Sequence, residues 1–129
     1  MIKKLDKYSY AHGTRYMDNG SRNYEVAGYR LPSVTTILGK TKDDTFLKDW
    51  IKKKGKAEAE RIKNASAVRG TSMHKYLENY VLGKGYEDLT ELGQETKRMA
   101  QKVIEVGLAP VSGYFGSEVT VYYPGLYAG

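Results

Sequence analysis

Apolar residues spaced three and four apart run through the middle of this chain, and that period constrains the fold more than any other feature of the sequence. Phe46, Leu47, Trp50 and Ile51 in TKDDTFLKDWIKKKGK share one face of an amphipathic helix, behind an Asp-rich first turn and with lysines gathered towards the C-terminal end. Gly55 interrupts it, and AEAERIKNASAVRG resumes with Ala57, Ala59, Ile62, Ala65 and Ala67, small residues suited to close helix packing. Gly70 is read as a further break or bend, after which TSMHKYLENYVLG carries Met73, Leu77, Tyr80 and Val81 inward as far as Gly83. GYEDL reads as a loop. A last helix is expected from about Thr90 to Val106, with Leu92, Met99, Val103 and Ile104 as its apolar residues, and 107–116 as a connection.

The flanks have a different character. Residues 8–31 place Gly13, Asn19-Gly20, Asn23 and Gly28 between short aromatic or β-branched pieces, a density of turn residues that predicts one or two small hairpins. In LPSVTTILGK, Ser33 is a candidate N-cap and Gly39 a candidate stop for a helix of under two turns. At the other end, Val119 and Val121 alternate with Thr120 and Tyr122, the period of a half-buried strand from Glu118 to Tyr123. Pro124-Gly125 then makes a turn, and Leu126 to Ala128 starts a return strand too short to be held by its own ladder bonds, so the chain is expected to break off inside a hairpin. The expected class is α+β: N-terminal hairpins, a central block of about four helices and C-terminal strands, in one folding unit over residues 1–129.

Charge narrows the partners. A net charge of +6 favours an anionic partner such as nucleic acid, although basicity alone does not single one out. The absence of cysteine excludes disulfides and thiolate metal sites and is compatible with a reducing cytoplasm. The lysine-bearing start lacks the apolar core of a leader, and no run approaches the ~20 apolar residues of a membrane span, so a soluble intracellular protein with no membrane partner is expected. Twelve tyrosines stand against two phenylalanines and one tryptophan, rings that either stack on bases or pack half-buried with a wet hydroxyl.

Few residues carry candidate chemistry. His74 and Glu78 lie four apart, so on a helix they share a face, either as two ligands of one metal, as a ring oriented by a carboxylate, or as an ordinary surface pair. A divalent ion such as Mg²⁺ needs further oxygen donors, and Glu118 is the additional acidic candidate by position, unless it is simply an exposed charge at a strand end. Arg69, Gly70, Thr71 and Ser72 sit where the His74 helix is expected to begin, a place for a phosphate or for a helix capped by its own hydroxyls. Ser33 and Thr35 in SVTT pose the same alternatives. Lys40, Lys42, Lys48, Lys52, Lys53, Lys54 and Lys56 form a basic stretch able to track a nucleic-acid backbone, diluted by Asp43, Asp44 and Asp49 towards a solvated face. His12, among turn residues, is expected at the surface. No phosphate-binding glycine loop and no His-Glu-x-x-His pattern occurs.

Taken in order, LPSVTTIL, Trp50 in a lysine-rich helix, Gly55 to Ala59, the run A-x-R-G-T-x-x-H-x-x-x-E from Ala67 to Glu78, and SEVTVYYPGLYAG resemble the N-terminal half of a phage-type exonuclease. The family is the PD-(D/E)XK superfamily, in its RecB-like branch that includes the mitochondrial genome maintenance exonuclease, and the resemblance covers about Tyr16 to Gly129. It implies metal-dependent phosphodiester hydrolysis on DNA, with Mg²⁺ or Mn²⁺ as cofactor, DNA with a free end or a single strand as substrate, and a bacterial or phage-infected cytoplasm as setting. His74 aligns with the helix histidine beside the family's metal site, and Glu118 with the acidic residue before its Asp-bearing strand, making both catalytic and metal candidates. Arg69 and Thr71 match the segment before that helix and join Ser33, Thr35, Lys52 and Lys53 as DNA-binding candidates. The family's principal Asp and its Asp/Glu-x-Lys are not among these residues, so the chain alone is expected to be inactive. Two other readings stand beside this one: a non-catalytic basic DNA-binding or regulatory module, and half of a split nuclease completed by a partner chain.

Overall fold

The computed structural model describes residues 2–129 and is α+β: an N-terminal hairpin sheet, four central helices and short C-terminal strands. Contacts gather the chain into two units, one helical (Met1–Leu5 with Phe46–Ser117) and one built around the sheet (Asp6–Thr45 with Glu118–Gly129). No helix among the described residues is long and apolar enough to cross a membrane.

In the sheet unit, β2 (Gly13–Asp18), β3 (Ser21–Val26) and β4 (Tyr29–Pro32) form an antiparallel meander; β1 (Lys3–Lys4) belongs to the helical unit. Both connections are two-residue turns, Asn19-Gly20 at φ 49 and 76 and Ala27-Gly28 at φ 50 and 81. Positive φ at both central residues is the geometry that matches strand twist, which explains the Asn-Gly and the second glycine. Ser33 then caps α1 (Val34–Thr41), its Oγ accepting the Thr36 N–H at 3.0 Å. Gly39 does not stop this helix, contrary to the sequence expectation: it is exposed, nothing crowds it, and the helix continues to Thr41.

The C-terminal residues return to this sheet. β6 (Tyr122–Tyr123) and β7 (Tyr127–Ala128) form a hairpin, extended by reciprocal hydrogen bonds between Val121 and Gly129. Ala128 also bridges Ser33 in parallel and is fully buried with Val26 and Leu31, while Tyr24 packs against them. The return strand is therefore held by more than its own ladder. The expected strand from Glu118 is replaced by a bend: Glu118 has φ 55, left-handed backbone that cannot continue a strand, and Val119 and Val121 are exposed.

In the helical unit, α2 (Thr45–Lys54) ends at Gly55, whose φ of 87 turns the chain into α3 (Lys56–Val81). The apolar residues of α2 are only partly covered: Trp50 and Ile51 are half-buried, and Phe46 is 85% exposed. Gly70 neither breaks nor ends α3, which is one helix of 26 residues. The helix closes at Gly83, with the Gly83 N–H bonded to Tyr80 O and the Lys84 N–H to Asn79 O, the paired pattern of a glycine-terminated helix. Thr90 caps α4 (Glu91–Lys102) through its Oγ1 and the Gly93 N–H, and the helix widens at Val103–Gly107 into a π turn closed by the Leu108 N–H on Val103 O. β1 pairs in parallel with β5 (Gly113–Tyr114).

Helices α3 and α4 pack through small and polar residues. Ala59, Ser72, Tyr76, Gly93, Thr96 and Ala100 are buried, and Ser72 Oγ lies 2.7 Å from Thr96 Oγ1 across the helix pair. Small residues permit close approach of the two helices, and the buried hydroxyl pair adds a polar contact across them.

Candidate functional site

The candidate residues divide between the two units. His74 and Glu78 lie on α3 four residues apart, His74 exposed and Glu78 half-buried. Glu118 is exposed on its bend in the sheet unit. Among the described residues no group of three or more His, Cys, Asp or Glu is placed to hold a metal ion.

The hydroxyl candidates are engaged in structure. Ser33 is 2% exposed; its Oγ accepts the Thr36 N–H and lies 2.9 Å from Thr35 Oγ1 and 2.8 Å from Thr36 Oγ1. Thr36 Oγ1 in turn donates to Arg22 O, tying α1 to the meander. Thr35, exposed, borders an open groove of about 520 Å³ with Ser21, Arg22 and Lys40. Arg69 and Thr71 do not open a helix as the sequence suggested: they sit inside α3, where Thr71 Oγ1 donates to Ala67 O, and the backbone N–H groups there are spent within the helix. A phosphate held by free N–H groups at that point is thereby excluded. Gly70 lies within α3 in helical backbone, so the helix runs through this segment without a new N-terminus.

The basic residues show a sharper pattern. In the sheet unit six basic residues are balanced by six acidic ones, so the entire +6 belongs to the helical unit. Lys52, Lys53 and Lys54 form the last turn of α2 and are exposed, where cations also complement the carbonyl end of the helix. Arg61 is committed to Glu58 through two hydrogen bonds of 2.9 and 2.6 Å.

One feature of the helical unit has only a weak sequence signal. A pocket of about 200 Å³ lies between α3 and α4, walled by Tyr76, Tyr80 and Tyr86, with Ala100 and Ile104 on the α4 side and Lys84, Lys97 and Gln101 beside them. Tyr76 and Tyr86 meet edge to face, their centroids 4.6 Å apart. Tyr76 Oη accepts the Asp88 N–H at 3.1 Å, fixing the 83–90 loop to α3. Glu87 receives Lys97 Nζ at 3.1 Å and Gln94 at 3.3 Å, and these two donors, Lys97 first, hold its carboxyl below the usual glutamate range. Asp88 is lowered by the Thr90 hydroxyl and then by the Thr90 N–H. The spacing of Tyr76 and Tyr80 marks one helix face, but Tyr86 arrives from a loop whose path no periodicity reveals.

Comparison with protein-family models, with curated proteins and with solved structures gave no significant match.

Proposed function

We propose that this chain binds DNA through its helical unit, as the DNA-contacting part of a metal-dependent exonuclease of the PD-(D/E)XK kind that its ordered motifs resemble. The observation that carries the DNA-binding reading is the segregation of charge, with all of the +6 in one unit and three consecutive exposed lysines closing α2. Clustered cations release the counterions condensed on a phosphate backbone, and this release drives sequence-independent association.

The residues present do not fit a Mg²⁺ or Mn²⁺ centre. His74 and Glu78 supply two donors from one turn of helix, and no third joins a cluster among the described residues. No hydrolytic step is assigned to them. In the split-nuclease reading a partner chain supplies the further carboxylates, and a non-catalytic basic DNA-binding module, carried by the same segregation of charge, is the second reading.

Fluorescence anisotropy of a labelled single-stranded oligonucleotide across a salt series tests the proposal. Affinity should fall linearly on a log–log plot, and Lys52→Glu with Lys53→Glu should weaken binding and lower the slope by roughly 0.7 for each phosphate that the variant no longer neutralises. Affinity flat in salt overturns DNA binding. End-labelled DNA should remain intact in Mg²⁺ or Mn²⁺; digestion stopped by chelator and abolished in His74→Ala would instead establish a working metal centre containing His74.

A further inference from the structure

We propose that the pocket between α3 and α4 receives one unpaired nucleobase of a single-stranded nucleic acid. This rests on the DNA-binding reading and adds a place, a strand state and a residue set to it. The walls are the first argument. Tyr76 and Tyr80 rise from successive turns of one face of α3, and Tyr86 stands edge-on to Tyr76, so two ring planes meet at an angle around the space. Such a corner offers one aromatic face for stacking and one edge for lateral contact with a flat ring.

Size is the second argument. About 200 Å³ is below the ~300 Å³ at which sites for drug-sized ligands begin, so the pocket suits a single planar ring system and leaves sugar and phosphate outside. The third is charge: the pocket belongs to the unit that carries the net charge, and Lys84 lies exposed beside it, with Gln101 as a nearby donor and acceptor. Lys97 is already paired with Glu87, so Lys84 is the cation left to meet a strand phosphate. A stacking wall with a cation at the edge is how single strands are held without sequence preference. A base inside a duplex has both faces stacked and its edge paired, so an unpaired base is the form that fits.

Tyr76 is buried and its hydroxyl holds the Asp88 backbone, whereas the Tyr80 side chain is 42% exposed and, among the described hydrogen bonds, holds no other element in place. On the opposite wall Ile104 belongs to the π turn that follows α4, where one extra residue per turn shifts the side chains that face the pocket.

The test uses the full chain and a single-stranded oligonucleotide of about 12 nucleotides carrying 2-aminopurine, a length within the ~4–16 nucleotides typical of a single-strand site. Binding should quench the 2-aminopurine, Tyr80→Ala should weaken affinity about tenfold and abolish most of the quench, and Tyr80→Phe should retain both. An oligonucleotide of the same length made wholly of abasic sites should bind the native chain and Tyr80→Ala equally. Adenosine monophosphate should compete only weakly, and tight binding of the free nucleotide with none of the strand would overturn the inference in favour of a mononucleotide site. Equal affinity and quench in Tyr80→Ala, with salt-dependent binding intact, defeats the pocket while leaving DNA binding in place. No salt-dependent binding of any DNA defeats both.

Discussion

Replacing Thr96 by valine should destabilise the protein more than replacing Ser72 by alanine, and the two changes should not add. Thr96 Oγ1 lies 3.0 Å from both Leu92 O and Gly93 O and 2.7 Å from Ser72 Oγ. Carbonyl oxygens only accept, so the single Thr96 hydroxyl proton is directed to them, and Ser72 is the donor across the helix pair. Thr96→Val preserves the shape but removes that acceptor, stranding a hydroxyl on a residue 8% exposed, at a cost of about 1–3 kcal/mol. Ser72→Ala leaves Thr96 bonded to its own helix and costs about 0.5–1.5 kcal/mol. The double variant removes both partners, so its cost should fall short of the sum by about 1 kcal/mol. Urea unfolding read by circular dichroism measures each value, with an unchanged slope as the sign that only stability has moved. Additive costs, or a Ser72→Ala penalty exceeding that of Thr96→Val, would refute the assigned direction of the bond.

Glycine exchanges probe the helices. Gly70→Ala should stabilise by about 0.5–1 kcal/mol, because the residue is mid-helix with open space at its Cβ, whereas Gly55→Ala, at φ 87, should destabilise by about 1–2 kcal/mol; thermal melts of the two variants should move in opposite directions. Gly93→Ala should destabilise despite the roughly 1 kcal/mol gained in helix propensity, because a Cβ there meets the Asp88 backbone oxygen and side chain, and a gain in melting temperature would contradict the packing described. Folding lowers the Asp88 carboxyl through Thr90, so its contribution is complete above the ordinary aspartate value and is lost as pH falls through the folded pKa. Asp88→Asn should therefore flatten the stability profile below about pH 4, as pH-dependent unfolding would show, and leave its slope near neutrality unchanged.

Local chemistry was legible where it decides a chain reversal. Ser33 caps its helix, Asn19-Gly20 turns a hairpin, and Gly55 and Gly83 bound α3, because each supplies a hydroxyl or a positive φ that the geometry requires. Gly39 and Gly70 misled for one reason: a glycine in an otherwise helical run costs stability without dictating a break, and the neighbouring hydrogen bonds carry the helix through. The alternation from Glu118 to Tyr123 suggested a strand, yet pairing begins only where a partner exists, at Val121 opposite Gly129. Of the candidate site, the i,i+4 spacing of His74 and Glu78 and the basic end of α2 were readable, because both are properties of one helix. The pocket of Tyr76, Tyr80 and Tyr86 was not, since it exists only once a loop is fastened by the Asp88 backbone to a tyrosine hydroxyl twelve residues earlier.

The bridge between Ser33 and Ala128 spans about 95 residues, and the greater part of the helical unit is threaded between its ends. Closing so long a loop from an unstructured chain would cost about 4 kcal/mol in entropy by a logarithmic length law. During synthesis the meander emerges first but lacks Ala128, while α3 and α4 complete their contact from residues that leave the ribosome close together. Val26 and Leu31 therefore complete their core with a residue that the chain supplies only after the helical segments have been made. The sheet unit is thus a clasp whose two halves lie far apart in sequence. Deleting 127–129 should leave Val26 and Leu31 uncovered even though both residues and all three strands of the meander remain.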